Sequence, residues 1–169
     1  MWVVAGAPGV GKTTYAVRLV EELLPRPALL DKDTVYGGFV RATLATAGRP
    51  DTEREGPWYD EHIKRYEYAG LTAAAREIRS LGCPVVLVAP FTAEIHDVQR
   101  WTAMVDGLGG PPVRLVWVHC DAGELHRRLI GRGREFDAGK LADFPAFVAN
   151  IRLSEPPAVP YLDVDSTEA

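Results

Sequence analysis

Two cysteines in 169 residues, Cys83 and Cys120, leave little room for sulfur chemistry, and neither belongs to a cluster with metal-ligand spacing. A disulfide framework or a structural zinc site is not expected from such a pattern. Each lies in or beside an apolar run, so two reduced core thiols are the expectation. Long apolar runs are also missing; none approaches the roughly 20 residues that cross a bilayer. The first residues already read as a strand feeding a loop, not as a secretory signal, and the cytoplasm is the expected location. Basic charge is not in excess: 19 Lys and Arg stand against 23 Asp and Glu, a formal net charge of −4. A protein that tracks a nucleic-acid backbone carries a basic stripe. Its absence disfavours nucleic acid as a partner.

Internal repeats, low-complexity tracts and linkers are absent too, so residues 1–169 read as one domain. Five short runs rich in Val and Leu read as strands: Trp2–Ala5, Ala28–Leu30, Val85–Ala89, Arg114–Val118 and Tyr161–Val164. They do not alternate with polar residues, as expected of parallel strands buried on both faces. Helical segments separate them. Thr13–Leu24 carries Ala16, Leu19, Val20, Leu23 and Leu24 on one stripe, and Pro25 and Pro27 end it. A long section from Thr34 to Leu81 predicts a helix over Val35–Ala47, a polar turn over Gly48–Pro57 and a longer helix to Leu81. Further helices are expected over Ala93–Leu108, Ala122–Gly131 and Lys140–Ile151. Asp121 with Glu124 has the spacing of a capping box. The alternation gives an α/β fold, a doubly wound parallel sheet flanked by helices.

The strongest signal is Gly6-Ala7-Pro8-Gly9-Val10-Gly11-Lys12-Thr13, which fits G-x-x-x-x-G-K-[ST] between a strand and an amphipathic helix. Glycines let backbone N–H groups wrap phosphate oxygens, and the helix that follows points its positive end at them. Lys12 is placed to reach the β- and γ-phosphates and the Thr13 hydroxyl to bind Mg²⁺, with Thr14 next to it. ATP and Mg²⁺ are the expected cofactors. Leu29-Leu30-Asp31-Lys32-Asp33 then sets two carboxylates at the C-terminal edge of the second strand, where ligands of open α/β sheets bind. A carboxylate there could align an attacking alcohol and take its proton. Both aspartates could equally cap the next helix, Asp33 before Thr34 in particular. The third strand closes on Val88-Ala89-Pro90-Phe91 without the carboxylate of a motor ATPase, and no N-K-x-D motif of a GTPase is present.

On these residues the chain resembles the small P-loop kinases, a group that includes shikimate and gluconate kinases, chloramphenicol phosphotransferase, polynucleotide 5′-kinases and AAA-type predicted kinases. The resemblance rests on the phosphate loop, the D-x-D strand end, the third strand with its following helix, and an arginine-bearing segment after the fourth strand. It implies a three-layer αβα sandwich with strand order 2-3-1-4-5, a helical substrate-binding insert over 34–81 and a lid over 127–140. It also implies Asp33 as the base and Asp31 as a helper at the metal. Arg132 and Arg134 are expected to close on the phosphates, with Arg128 near the nucleotide and Asp165 and Ser166 near its base; a solvated basic helix end is the plainer reading of the arginines.

The insert holds Tyr36, Arg41, Arg54, Trp58, Tyr59, His62, Arg65, Tyr66 and Tyr68, which could line an acceptor pocket or pack the core. His96, His119 and His126 read as structural. The expected activity is transfer of the ATP γ-phosphate to a hydroxyl of a small molecule. A polynucleotide 5′-hydroxyl kinase, a toxin-like kinase of a nucleotide sugar and a nucleotide-dependent regulatory NTPase are alternatives, and a monomer is the default.

Overall fold

The computed structural model describes residues 1–54, 56–133 and 137–167. Strand β1 (Trp2–Ala5) runs through the phosphate loop into helix α1 (Lys12–Glu22), and β2 (Ala28–Asp31) runs directly into α2 (Lys32–Thr46). A short 3₁₀ turn (Asp51–Glu53) precedes an almost unbroken helical stretch of α3 (Pro57–Tyr59), a wide π-helical turn (Asp60–Lys64) and α4 (Arg65–Ser80). Then follow β3 (Val85–Val88), α5 (Thr92–Ile95), α6 (Val98–Gly107), β4 (Arg114–His119) and α7 (Ala122–Arg132). Helices α8 (Ala138–Ala142) and α9 (Phe144–Asn150) lead to β5 (Tyr161–Asp165). All pairings are parallel and the strand order is β2-β3-β1-β4-β5, as expected.

Successive residues of a strand point to opposite faces, and the core divides accordingly. Val3, Ala5, Val85, Leu87, Leu115 and Trp117 pack on one face with Leu71 and Ala75 of α4, Ile95 and Leu108. Val4, Val86, Val88, Val116 and Val118 pack on the other with Ala16 and Leu19 of α1 and Leu125 and Leu129 of α7. Each large aliphatic side chain so buried contributes about 1.5–3 kcal/mol. The register sets Val88 of β3 beside Val4 and Trp117 of β4 beside Ala5, the last residues of β1 before the phosphate loop, and β4 runs on to His119.

Several boundaries differ from expectation for identifiable reasons. Helix α2 begins at Lys32, not Val35, because Asp31 is its N-cap; the carboxylate accepts the N–H groups of Asp33 and Thr34. The expected Ala93–Leu108 helix is two helices, since Asp97 caps α6 through the N–H groups of Gln99 and Arg100. Asp143 likewise splits Lys140–Ile151 by accepting Ala146 N–H, with Pro145 in the first turn of α9. Only half of the capping box forms: Asp121 accepts Glu124 N–H at 2.7 Å, whereas Glu124 turns to Arg127 and Arg128. Cys120 is a buried thiol but Cys83 is exposed, in the turn before β3. Strand β5 is not buried on both faces; as an edge strand it leaves Tyr161 and Leu162 exposed. No helix among the described residues is long and apolar enough to cross a membrane.

Candidate functional site

The phosphate loop spans the top of β1 and is tied to its neighbours by backbone. Gly6 N–H donates to Pro90 O beyond β3 at 3.2 Å. Gly6 has φ of 142°, and a Cβ there would lie 2.0 Å from the carbonyl oxygen of Val118. Gly11 caps α1 with φ of 94°, and the first turn of that helix holds no acidic residue. Left-handed glycines followed by the first N–H groups of a helix form a concave, positive cradle that suits phosphate oxygens. Lys12 Nζ donates to Ala7 O at 2.8 Å and so lies across the loop. Burial among these atoms pushes its ammonium down to about 8, with the charges of Asp33 and Asp31 opposing that shift and Arg132 and Lys32 adding to it.

Thr13 and Thr14 lie in the first turn of α1 and are exposed. Thr13 Oγ1 donates to Asp31 Oδ2 at 2.6 Å, and Asp31 is buried. Asp31 is in register with Val88, so β2 supplies a carboxylate level with the strand end where β3 has none. The hydroxyl and carboxylate are hard oxygen donors of the kind Mg²⁺ takes. Among the described residues no group of three or more His, Cys, Asp or Glu could hold a metal alone. The donor set therefore fits an ion that keeps water and phosphate oxygens, not an all-protein cage.

Asp33 stands in the first turn of α2, with its side chain 83% exposed and its Oδ1 3.1 Å from Lys32 Nζ. Partial desolvation pushes this carboxyl up, but Lys32, then Lys12 and Arg54, outweigh that and hold it below its ordinary value. Lys32 is itself only 12% exposed, because its ammonium also lies 3.4 Å from Glu67 and 3.5 Å from the Tyr59 hydroxyl. Tyr59 donates a short hydrogen bond to the other Glu67 oxygen. Burial, then that bond, raises the Tyr59 phenol far above its usual range. Sequence reading overlooked Lys32 and Glu67 as site residues. The signal was present: Ile63, Glu67, Leu71 and Ala75 recur every four residues and all are buried, so Glu67 is a charge on an apolar stripe.

The arginines expected in a lid are distributed unequally. Arg132, in the last turn of α7, donates to Gly9 O at 3.4 Å and so stands at the phosphate loop. Arg128 reaches the loop as well, but its donors serve the protein. Its Nη1 donates to Val10 O and Ser166 Oγ, both at 3.1 Å, its Nη2 to Ser166 O, and its Nε to Glu124 at 2.5 Å. The Ser166 hydroxyl lies 2.7 Å from Val10 O and 2.8 Å from His119 O. Arg128 thus laces α7 and the end of β5 to the loop. Arg134 lies outside the described residues. Asp165 accepts from Thr167, and Asp137 is buried and pairs with Lys140 at 3.2 Å.

Of the insert residues, Tyr59 is brought to Asp33 through Lys32, and Arg54 lowers the Asp33 carboxyl while donating to Gly37 O at 2.9 Å. Tyr36 packs its hydroxyl against Gly70. Trp58 stacks on His62 and has the Arg49 guanidinium over its ring, Arg65 lies over Tyr66, and Arg41 faces Asp51. Tyr68 meets Phe91 edge-on at 5.4 Å in a groove between α4 and α6 that also involves Glu94, Arg100 and Met104. The three other histidines hold structure together: His96 bridges Thr92 O and Glu155 O, His119 pairs with Asp163, and His126 packs on Phe144.

The model of the AAA domain family (AAA_33) matches residues 1–152. A presumed kinase from Chloroflexus aurantiacus has a similar structure, with a TM-score of 0.67 and 22% identity over 99% of this chain and 85% of that one. A gluconokinase from Sinorhizobium meliloti gives 0.60 and 18% over 99% and 83%. A shikimate kinase from Bacteroides thetaiotaomicron gives 0.52 and 16% over 98% and 86%. These likenesses are of fold, that of the small P-loop kinases. No curated protein matches the chain in sequence.

Proposed function

This chain belongs to the AAA domain family, and from that premise we propose that it is a small-molecule kinase, moving the γ-phosphoryl group of Mg²⁺·ATP to a hydroxyl acceptor. The observation that carries the reading is Asp33: an exposed carboxylate at the strand edge beside the phosphate loop, kept ionised by Lys32, Lys12 and Arg54. A regulatory NTPase has no need of an aligned carboxylate facing solvent on the acceptor side.

Bound Mg²⁺·ATP supplies the transferable phosphoryl group and the charge that neutralises its oxygens. The protein's part is positioning and electrostatics. The loop Gly6 to Thr13 and the N-terminus of α1 hold the phosphates, and Lys12 supplies positive charge within that cradle. Thr13 and Asp31 form the oxygen pair that would hold the metal and its water. Arg132, at Gly9 O, brings a further cation to the loop. Asp33 accepts a hydrogen bond from the acceptor hydroxyl, which aims the oxygen at phosphorus. As the new O–P bond forms and the bond to the bridging oxygen breaks, the hydroxyl proton passes to Asp33. A carboxyl held below its ordinary value is a weak base, so alignment is its larger contribution, in keeping with a loose transition state in which the proton leaves late.

The test is Mg²⁺·ATP turnover to ADP with separate pools of sugars, sugar acids, nucleosides, antibiotics and short oligonucleotides, in wild type and Asp33→Asn. The reading expects one small-molecule pool to raise turnover, and Asp33→Asn to cut that rise about 100-fold or more with ATP affinity unchanged. Stimulation by oligonucleotides alone, or acceptor-independent turnover in both proteins, would overturn it.

A further inference from the structure

Lys32 stands between two carboxylates of unlike situation. Glu67 is 2% exposed and Asp33 is 83% exposed, yet a single ammonium lies 3.4 Å from one and 3.1 Å from the other. The buried partner dictates where that ammonium sits, because a buried carboxylate stripped of its cation is costly whereas a solvated one is not. Glu67 in turn is locked by the Tyr59 hydroxyl, and Tyr59 and Glu67 are both buried within the insert. Lys32 can make three donations, and the three oxygens around it account for them. Asp33, by contrast, is held at its backbone by the Asp31 cap and at its carboxylate by the ion pair with Lys32.

We propose that Lys32 is a positioning residue: anchored from below by Glu67 and Tyr59, it pins the Asp33 carboxylate in the orientation that receives the acceptor hydroxyl. The order of control runs from the insert to the catalytic carboxylate. Packing of α3 and α4 against α2 sets Glu67, Glu67 sets Lys32, and Lys32 sets Asp33. The insert therefore does more than wall an acceptor pocket; its seating determines whether Asp33 is aimed. This inference rests on the kinase reading for the consequence of aiming Asp33, but the ion-pair geometry does not.

The experiment uses the full chain with Lys32→Met paired with Glu67→Gln, so that no unpaired charge is left buried and the Tyr59 hydrogen bond keeps an acceptor. Side-chain three-bond couplings of Asp33, read by NMR at pH 8 without nucleotide, report its rotamer distribution. Wild type is expected to show one dominant rotamer and the double variant an averaged set. An unchanged Asp33 in a folded double variant overturns the inference. The second arm is acceptor-stimulated Mg²⁺·ATP turnover with the pools above. The double variant is expected to lose about 10-fold in kcat with KM for ATP unchanged, and to cause no further loss when added to Asp33→Asn. A further loss in that background shows that Lys32 does not act through Asp33 and also overturns the inference. Released Asp33 couplings with no role for Asp33 in turnover sustain the ion-pair arrangement and sink the kinase reading instead.

Discussion

Thr13 and Asp31 are joined by a 2.6 Å hydrogen bond, and the carboxylate that receives it also caps α2 through its other oxygen. One side chain therefore fixes the start of the helix that bears Asp33 and the hydroxyl that would face the metal. The two duties can be separated. Asp31→Asn keeps an oxygen for the N–H groups of Asp33 and Thr34 but loses the negative charge, so it should hold stability to within about 0.5 kcal/mol. The same change should weaken Mg²⁺-dependent ATP binding about 10-fold. Asp31→Ala should add a loss of about 1 kcal/mol from the missing cap. Denaturant unfolding and calorimetric ATP titration with and without Mg²⁺ check both halves; equal ATP affinity in Asp31→Asn would remove Asp31 from the metal site.

Two glycines make opposite predictions. Gly6 has φ of 142° and a backbone carbonyl of the neighbouring strand β4 2.0 Å from where its Cβ would be, and no rotamer can relieve a clash with backbone. Gly6→Ala should cost about 3 kcal/mol or more and abolish nucleotide binding. Gly38 lies within α2, where an added methyl would meet nothing within 4 Å and the backbone has no left-handed φ. Gly38→Ala should therefore stabilise by about 0.5–1 kcal/mol through helix propensity and leave ATP affinity unchanged. Thermal and denaturant unfolding of the two variants, with ATP titrations, check both; a Gly6→Ala protein as stable as wild type that still binds ATP would refute the first.

What could be read in advance depended on the range of the interaction. The phosphate loop, Asp31 and Asp33 are local in sequence, and strand, turn and helix signals surround them, so their place at one sheet edge followed from the pattern. The strand order came from resemblance to a known family, and the parallel pairings agree with it. Helix breaks at Asp97 and Asp143 were missed because apolar periodicity continues across them, although an aspartate before each segment is itself a cap signal. The Lys32–Glu67 pair spans 35 residues, and the Arg128 tie to Val10 spans 118. Spacing rules do not reach that far. A charge placed on the buried stripe at Glu67 announces a partner without saying which one.

The pair that holds Arg128 against the loop gives a prediction with a pH window. Glu124 accepts from Arg127 at 2.6 and 2.7 Å and from Arg128 at 2.5 Å. The Arg127 hydrogen bonds first, then the one from Arg128, outweigh desolvation and hold the Glu124 carboxyl down at about 2, against an ordinary 4.5. A depressed folded value means that the folded chain binds fewer protons than the unfolded chain between those limits. The stability Glu124 contributes is therefore complete above about pH 4.5 and is lost as pH falls toward 2. Glu124→Gln lacks the titrating charge, so wild type should be the more stable at pH 7 and the difference should shrink steadily below pH 4.5. Arg128 would lose its charged anchor in that variant and hold Val10 O less firmly, so ATP affinity at pH 7 should fall alongside stability. Denaturant midpoints of the two proteins from about pH 7 to pH 2, with ATP titrations at pH 7, supply the check. A stability difference that stays constant across that range would mean that the contribution of Glu124 is packing and not charge. Unchanged ATP affinity would mean that the ties from Ser166 and Arg128 hold the loop without help from Glu124.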